Sequence, residues 1–510
     1  MVYNTIKENS YYDSVTLMLF SSRLAVIEGI EEAAIMMGSA HNIDLMLSSN
    51  VLSQELANKA TSNDLLIGIR ASSEAVIQEA LKVLDEQFNA KQTSSNTQTK
   101  QFKSVKAAKN YNSHLNLSII STPGRFAKAE VVESLKNDLN VLLFSDNVSI
   151  EDEVDLKNQA IEKGLLMMGP DCGTAIINGV ALGFANKIKA GSIGLIAASG
   201  TGLQEVSSLI DLFGGGITQA IGVGGRDMKE QVGGRMTLFA LDALINDPAT
   251  EVIGIISKPP SLPVMQKIQE RIQSTNKKVV TCFLGASAST TKPDHLYETF
   301  TLENAARYLV AVSQGLHPEP AKPLSLEGLP KRNPDNKGTF IRGLYTGGTL
   351  AYEAMLIFQK SLNNVYANIA MKESFKLPNP DQSIEHTIVD LGEDYFTDGL
   401  AHPMIDPRLR NERLIREAND SSTAVILLDC VIGYGSHENP ALEIVQSIKQ
   451  SKQNSHGKTI DYVASVTGTA SDVQSRAKQI AILEDAGVTV LPTNAQAAQY
   501  ALLLILQGGQ

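Results

Sequence analysis

Two short runs of small residues follow apolar segments in this sequence and precede segments with helical periodicity. The first follows residues 193–198 and consists of Ser199, Gly200, Thr201 and Gly202. The second follows residues 338–345 and consists of Thr346, Gly347, Gly348 and Thr349. A strand that turns through such residues into a helix directs several backbone N–H groups at one point, where the helix dipole also favours negative charge. Each run predicts a site for a small anion; an ordinary capped helix is the alternative.

The two runs share a plan that extends beyond the turns themselves. Residues 197–205 read AASGTGLQE and residues 345–353 read YTGGTLAYE, so both follow the plan of a strand, a turn of small residues and a helix, although they differ in detail. This similarity indicates an internal duplication. If the two turns face each other, they enclose one anion between two helix N-termini.

Charged residues at other predicted strand ends are candidates for the remaining walls of the site. Arg226 follows Gly224 and Gly225, and a guanidinium there can hold a phosphate or carboxylate bidentately or stabilise charge that develops during a reaction. The alternative is a surface loop in which Arg226 pairs with Asp227. Lys258, in Ser-Lys-Pro-Pro, is either a ligand contact or a loop charge.

Three further polar residues complete the set of candidates. His402, in the sequence HPMIDPRLRN, is a candidate general acid or oxyanion donor, and a structural histidine is the alternative. Asn147 and Asp171 end predicted parallel strands, where they face the ligand side of the sheet or cap helices. No cluster has metal-ligand spacing, so no metal site is predicted.

Strand and helix patterns alternate along most of the chain, which predicts an α/β fold with several parallel sheets. Ligands bind beyond the carboxyl ends of such strands, so the small and polar strand endings belong to one rim. Polar segments at 89–103 and 317–337 are predicted linkers. The pattern divides the chain into four predicted domains: residues 1–90, 112–190, 191–316 and 338–510.

Composition restricts the class of protein. The 510 residues carry a net charge of −11 and no basic run, which argues against a nucleic-acid partner. Apolar stretches are too short to span a bilayer, and residues 1–10 lack a signal-peptide pattern. The three cysteines are far apart in sequence. We expect a reduced, cytoplasmic protein without a membrane partner.

Several segments resemble a known family. MGPDC (168–172), IAASGT (196–201) and GVGGRD (222–227) resemble the α-subunit of succinyl-CoA synthetase, and the chain after residue 338 is similar to the carboxy-terminal domain of its β-subunit. FSDNVSIEDEVDLK, GLYTGGTLA, HPMIDPRLRN and QIAILEDAG resemble the FdrA family more closely, and the resemblance covers nearly the whole chain. It implies Rossmann- and flavodoxin-like domains: a CoA-binding-like domain at 112–190 and two ligase-like domains at 191–316 and 338–510.

The sequence departs from that family pattern in three places. CoA ligases carry a Gly-His-Ala-Gly loop with a phosphorylated histidine after the strand that matches residues 278–285. Here residues 286–291 read ASASTT, and His295 follows in a different setting. A glycine-rich nucleotide loop is missing from the first 110 residues, and no segment fits an ATP-grasp domain.

The resemblance to the FdrA family implies a subunit of oxamate carbamoyltransferase in anaerobic allantoin breakdown. That enzyme converts oxalurate and phosphate into oxamate and carbamoyl phosphate. The implied partners are these small anions, further subunits and further copies of the chain, with no cofactor. The alternatives are an acyl-CoA synthetase subunit, which would use CoA or ATP, and a scaffold without catalytic activity.

Overall fold

The structure is a computed structural model that describes all residues except 9, 11, 13, 26, 63, 94–100, 371, 398–399, 455–458 and 508–510. Its strands are β1 (Val2–Lys7), β2 (Ile30–Met37), β3 (Leu65–Ala71), β4 (Leu117–Ile120), β5 (Asn140–Leu143), β6 (Met167–Met168), β7 (Thr174–Ile177), β8 (Val180–Gly183), β9 (Ala190–Ala197), β10 (Ile217–Gly222), β11 (Val252–Ser257), β12 (Lys278–Phe283), β13 (Leu296–Thr299), β14 (Phe340–Tyr345), β15 (Val365–Ala367), β16 (His386–Asp390), β17 (Thr423–Val431), β18 (Asp461–Thr467) and β19 (Thr489–Leu491).

Its helices are α1 (Ser14–Ala25), α2 (Ala40–Ser48), α3 (Gln54–Ala57), α4 (Glu74–Thr93), α5 (Val105–Tyr111), α6 (Gly124–Lys136), α7 (Ile150–Glu162), α8 (Gly200–Leu212), α9 (Arg235–Asn246), α10 (Leu262–Gln273), α11 (Leu302–Ser313), α12 (Gly348–Phe358), α13 (Asp394–Thr397), α14 (Arg408–Asn419), α15 (Pro440–Asn454), α16 (Arg476–Asp485) and α17 (Asn494–Gln507), with a 3₁₀ turn at Glu373–Phe375. None of the described helices combines the length and apolar character needed to cross a bilayer.

The chain forms two compact units: Met1–Gln101 with Asp394–Asp406, and Phe102–Glu393 with Pro407–Gln510. The first unit contains an antiparallel sheet in the order β1-β3-β2. Side chains of β3 alternate between two cores, because neighbouring residues of a strand point to opposite faces. Ile67 packs in the core that includes residues of α1 and α4, and Leu66 in the core that includes residues of α2 and α3. Part of the predicted linker 89–103 continues α4 to Thr93, and its residues 94–100 lie outside the described part.

The second unit contains three sheets, and the predicted α/β class with several parallel sheets is confirmed. One is a three-stranded parallel sheet in the order β4-β5-β6. A seven-stranded sheet has the order β13-β12-β11-β9-β10-β7-β8, and its first five strands are parallel. A six-stranded parallel sheet has the order β15-β16-β14-β17-β18-β19. In both larger sheets the chain reverses its strand order beside the strand that leads into a small-residue turn.

The hairpin β7–β8 was not expected from the sequence. It joins the edge of the seven-stranded sheet antiparallel to β10, so the predicted boundary at residue 190 separates the hairpin from the sheet that it extends. Its turn is Asn178-Gly179, both with positive φ, which is the standard two-residue hairpin turn. The four-domain division stays a prediction.

The predicted linker at residues 317–337 has no helix or strand, but it is fixed to the protein. The Asn336 amide donates to the Ala424 carbonyl (2.8 Å) and to Asp461 (2.8 Å), and the Tyr500 hydroxyl donates to the Pro330 carbonyl (2.6 Å). This segment therefore packs as part of the second unit.

Two buried glutamates join the two halves of the second unit, one built around the seven-stranded sheet and the other around the six-stranded sheet. Glu205 on α8 accepts from the backbone N–H of Asn494 at the start of α17 (3.1 Å), and Glu353 on α12 accepts from that of Leu302 at the start of α11 (2.7 Å). Each carboxylate thus caps a helix of the opposite half. Burial raises the pKa of both carboxyl groups, that of Glu353 to about 7. This reciprocal arrangement fixes α8 against α12, and with them the two turns at their N-termini.

Candidate functional site

The two small-residue turns are in direct contact. The Ser199 hydroxyl caps α8 by accepting from the Gly202 N–H (3.0 Å), and it lies 2.5 Å from the Thr349 hydroxyl at the start of α12. The Thr349 N–H points to the Thr201 hydroxyl (3.4 Å). The N-termini of α8 and α12 therefore meet at one place, where two helix dipoles favour negative charge.

Glycine is required where the turns approach most closely. A Cβ atom at Gly347 would lie 2.9 Å from Thr201 Cγ2, and one at Gly202 would lie 2.9 Å from the Ser199 hydroxyl oxygen. At Gly200 a Cβ would lie 3.1 Å from the hydroxyl oxygen of Thr174, the first residue of the β7–β8 hairpin. A larger residue at Gly347 would push the second turn away from the first.

This close approach gives a first testable expectation. Gly347→Ala should lower the free energy of unfolding by about 1–3 kcal/mol, because the new methyl group pushes against Thr201 in a packed contact. Gly173→Ala is the matched control, since a Cβ there has its nearest neighbour at 3.6 Å. Denaturant unfolding measures both variants; equal stability losses would show that the turns have room to spare.

A side chain of the protein itself occupies the second turn. The Asp429 carboxylate accepts from the N–H of Thr346 (2.9 and 3.0 Å), from the Thr346 hydroxyl (3.1 Å) and from the N–H of Gly347 (2.9 Å). Thr346 and Gly347 are predicted to bind a substrate anion, but their N–H groups already hold this internal carboxylate. Thr349 contacts Ser199 and Thr201, so the N–H of Gly348 is the one left in this turn without such a contact in the described part of the chain.

Asp429 and Arg410 form a buried support beneath this turn. The Arg410 guanidinium donates to the Asp429 backbone carbonyl (3.0 Å) and lies 3.9 Å from its carboxylate. Burial raises the pKa of Asp429, while Arg410 and the N–H groups of Thr346 and Gly347 oppose that rise. Arg410 belongs to the segment HPMIDPRLRN. This segment therefore contributes a buried side chain that supports the second turn through Asp429.

Lys258 stands beside the joined turns. It follows β11, the neighbour of β9 in the sheet, and its ammonium lies 4.9 Å from the centre of the Tyr352 ring on α12. Burial lowers the pKa of Lys258, and the nearby carboxyl groups of Asp390 and Glu393 oppose that change. The structure thus places Lys258 beside α12, and its predicted contact with an anion stays a prediction.

Asp390 also lies beside the second turn, although it was not predicted from the sequence. It is the last residue of β16, and its Oδ1 accepts from the Gly392 N–H (2.9 Å). Its Oδ2 lies so close to Gly348 that a Cβ there would overlap it. The carboxyl group is thus placed at the N-terminus of α12. The signal in the sequence was an acidic residue at the end of an apolar strand, HTIVD.

Arg226 lies in a different group of buried charges. Its guanidinium contacts the Glu153 carboxylate (2.9 Å) and donates to the Val148 carbonyl (2.8 Å). Glu153 also binds Lys157 (2.8 Å), and Lys157 in turn binds Asp227 (2.8 Å). Arg226 was predicted to contact substrate, whereas here its guanidinium joins α7 to the loop after β10.

The other candidates from this side of the molecule lie in exposed loops. Asn147 and Asp171 are exposed and have positive φ angles, and a Cβ at Gly225 would lie 3.9 Å from Asp171 Oδ2. These residues border the three-stranded sheet. Their predicted contact with an anion stays a prediction.

His402 belongs to the other compact unit. Its Nδ1 accepts from the Met404 N–H (3.2 Å), and burial lowers its pKa to about 4. An imidazole with this pKa is neutral at pH 7, so it is poorly suited to the predicted role of general acid. A role as oxyanion donor stays a prediction.

His295 lies at the wrong end of the sheet for a phosphohistidine relay. Its backbone carbonyl accepts from the N–H of Val279, near the start of β12, and its ring contacts the Ile272 carbonyl (2.9 Å). The six residues of β12 separate this end from the carboxyl-terminal rim by roughly 20 Å. Gly285, at that rim, lies near the Tyr352 hydroxyl and is followed by Ala286.

Comparison with known proteins matches two parts of the chain to family models. The model described as CoA-ligase matches residues 344–504, and the one described as AllF, heavy metal-associated domain, matches residues 1–105. YahF of Escherichia coli (strain K12) is 42% identical over 99% of this chain and 98% of its own length.

Other similar proteins cover less of the sequence or are more distant. Succinate–CoA ligase [ADP-forming] subunit alpha of Methanothermobacter thermautotrophicus is 26% identical over 34% of this chain, and the match spans 59% of that subunit. The solved apo form of the dinucleotide-forming acetyl-coenzyme A synthetase 1 of Ca. Korarchaeum cryptofilum has 15% identity and a TM-score of 0.34, covering 80% of this chain and 86% of that one.

The family model that matches residues 1–105 is described as a heavy metal-associated domain, which makes a metal ion a candidate ligand for these residues. Residues 1–105 contain no cysteine and one histidine, His41. No group of three or more His, Cys, Asp or Glu residues that could hold a metal ion occurs in the described part of the chain. A heavy-metal ion prefers thiolate or imidazole ligands, so the residues present do not fit one.

Identity to YahF along nearly the whole chain is far above what a shared fold alone produces. The chain belongs to the family of YahF, and it combines an allantoin-related amino-terminal domain with a CoA-ligase domain of the succinyl-CoA synthetase type.

Proposed function

We propose that this protein is the carbamoyl-transferring subunit of an enzyme that cleaves oxalurate with phosphate to give oxamate and carbamoyl phosphate. The observation that carries the proposal is the contact between Ser199 and Thr349, which joins two helix N-termini beside Lys258. The allantoin-related domain supports it, because oxalurate is a product of allantoin breakdown.

The arrangement suits a reaction between two small anions. Helix N-termini and an ammonium group stabilise negative charge without needing to reorganise, both on phosphate and on the tetrahedral oxyanion that forms when phosphate attacks the carbamoyl carbon. Holding the two reactants together supplies much of the remaining rate enhancement. The reaction as written consumes neither CoA nor ATP.

The experiment is an assay of the purified chain, alone and combined with the products of neighbouring genes. Oxalurate and phosphate are supplied, and carbamoyl phosphate is detected by the ATP that a carbamate kinase forms from it with ADP. We expect ATP formation that depends on oxalurate, on phosphate and on this chain. The proposal fails if no combination of subunits produces carbamoyl phosphate. Cytoplasmic location, further subunits and self-association are parts of the same proposal.

A ligase that forms a CoA thioester is the second candidate. The CoA-ligase match at residues 344–504 and the succinate–CoA ligase relatives favour it. It requires that another polypeptide supplies the nucleotide-binding part and the phosphorylated group, since His295 lies far from the rim. Formation of an acyl-CoA from ATP, CoA and a small carboxylic acid by the same subunit mixtures would favour this function over carbamoyl transfer.

A further inference from the structure

Asp390 and Lys258 lie beside the N-terminus of α12. Within the described part of the chain, neither Asp390 Oδ2 nor the Lys258 ammonium has a hydrogen-bond partner. Asp390 Oδ1 accepts from Gly392, whereas Oδ2, beside Gly348, accepts no hydrogen bond from any described residue. The Lys258 ammonium likewise has no hydrogen bond or ion pair within the described part, and it lies over the face of the Tyr352 ring. A buried carboxyl oxygen and an ammonium in this state are available to a ligand.

The surroundings keep Asp390 close to its point of half-protonation at neutral pH. Burial raises its pKa to about 7, and the carboxyl groups of Asp429 and Glu393 act in the same direction. Lys258 and the Gly392 N–H act against the rise. On the other side, Lys229 adds to the burial that lowers the pKa of Lys258. A group with a pKa near the working pH is suited to both giving and taking a proton.

The proposed reaction needs such a group. When phosphate attacks the ureido carbon of oxalurate, a C–O bond forms and the C–N bond to the oxamate nitrogen breaks. The electron pair of the C–N bond stays on that nitrogen, which must gain a proton to leave as the neutral amide of oxamate. The proton that balances this transfer is the one on the attacking hydrogen phosphate.

We propose that Asp390 moves this proton, giving its own to the leaving nitrogen and regaining one from the phosphate hydroxyl, while Lys258 holds the phosphate against the N-terminus of α12. This inference rests on the proposed function and adds the residues that would perform it. Neither the starting protonation state of Asp390 nor the overall charge changes across the cycle.

Other acid–base groups in the described part fit this task less well. His295 lies at the opposite end of the sheet. Burial raises the pKa of the Tyr352 phenol, and it raises that of the buried thiols Cys172 and Cys430 to about 12, so none of these exchanges protons readily at neutral pH. The position and environment of Asp390 are what set it apart.

The first test compares Asp390→Asn and Lys258→Met in the reconstituted complex, with Asp485→Asn, an exposed carboxylate on α16, as control. Asp390→Asn should lower kcat about 10²–10⁴-fold with little change in KM for phosphate. It should also remove the ionisation near pH 7 from the pH profile of kcat. Lys258→Met should raise KM for phosphate more than it lowers kcat. A folded Asp390→Asn variant with normal kcat and an unchanged pH profile overturns the proposal.

The second test does not depend on the reaction. Sulfate, which does not titrate near pH 7, is bound to the purified chain by calorimetry in two buffers with different enthalpies of ionisation. Because an anion beside Asp390 favours its protonated form, we expect wild type to take up about half a proton on binding. Asp390→Asn should bind sulfate without this uptake, and Lys258→Met should bind it at least about 10-fold more weakly.

The two tests separate the possible failures. Proton-linked sulfate binding without carbamoyl phosphate formation would refute the proposed function and leave Asp390 and Lys258 as a proton-linked anion site. Carbamoyl phosphate formation with equal proton uptake in wild type and Asp390→Asn would refute the role of Asp390 alone. Absence of sulfate binding by wild type would refute the anion site itself.

Discussion

Replacing Lys157 with methionine should lower the free energy of unfolding by about 3–5 kcal/mol, because it leaves buried carboxylates without their ammonium partner. Lys157 is fully buried and binds Glu153 (2.8 Å), Asp227 (2.8 Å) and the Val223 carbonyl (3.0 Å). Asp227 in turn accepts from the N–H groups of Met236 and Thr237 at the start of α9. One lysine therefore holds α7, the loop after β10 and α9 together.

Lys128→Met is the matched control for this prediction. Lys128 lies on the neighbouring helix α6 and pairs with Asp152 at 2.6 Å, but its side chain is 45% exposed. An exposed pair of this kind contributes little to stability, because water and salt screen the two charges. Chemical denaturation of both variants measures the difference. Similar losses for Lys128→Met and Lys157→Met would contradict the assignment of the buried cluster as the joint between these segments.

Replacing Asp429 with alanine should have a comparably large effect, on both stability and activity. The substitution removes the acceptor of two buried N–H groups and leaves Arg410 without its carboxylate, at a cost of about 3–5 kcal/mol in the free energy of unfolding. Since the turn that presents Gly348 and Thr349 then loses its support, the carbamoyl-transfer assay should show a large fall in kcat/KM.

Two further variants accompany Asp429→Ala: a control at an exposed carboxylate and a conservative substitution at Asp429. Asp485→Ala removes an exposed carboxylate and should change stability by less than about 0.5 kcal/mol. Asp429→Asn keeps one oxygen acceptor and should fall between the two. If Asp429→Ala is as stable as wild type, the hydrogen bonds to Thr346 and Gly347 do not hold the turn, and these N–H groups are open to substrate as the sequence predicts.

The sequence was sufficient for the elements that position the site. Residues 193–198 are apolar throughout, and residues 338–345 are apolar except for Thr339 and Arg342. Both runs pass directly into small residues, and such runs form strands because parallel strands are buried on both faces. Both turns and the helices after them lie where the pattern predicts. Glu205 and Glu353 lie at matching positions of the two helices, and both are structural.

The side chains that contact these elements could not be predicted from the sequence, because such contacts form between distant segments of the chain. Nothing near Arg226 in sequence points to Glu153 or Lys157. Asp429 did carry a signal, since an acidic residue inside the apolar run TAVILLDCV must find hydrogen-bond donors when it is buried. Asn178-Gly179 is likewise a pair typical of a hairpin turn, although the β7–β8 hairpin was not expected from the sequence.

The proposed reaction uses a free anion, whereas a CoA ligase uses a phosphorylated side chain of the protein. The contact between the turns brings two helix N-termini together, with Lys258 and Asp390 beside α12, and His295 lies at the other end of β12. We propose that this site acts on phosphate directly. A CoA ligase instead passes the phosphoryl group through a histidine of the protein.

Radiolabelled inorganic phosphate tests this distinction most directly. The reconstituted complex is incubated with labelled phosphate and oxalurate, and the label is then followed in carbamoyl phosphate and in the protein after denaturation at neutral pH. We expect label in carbamoyl phosphate from the first turnover and none bound to this chain. Acid-labile label on a histidine of this chain, formed as fast as the product, would contradict the account.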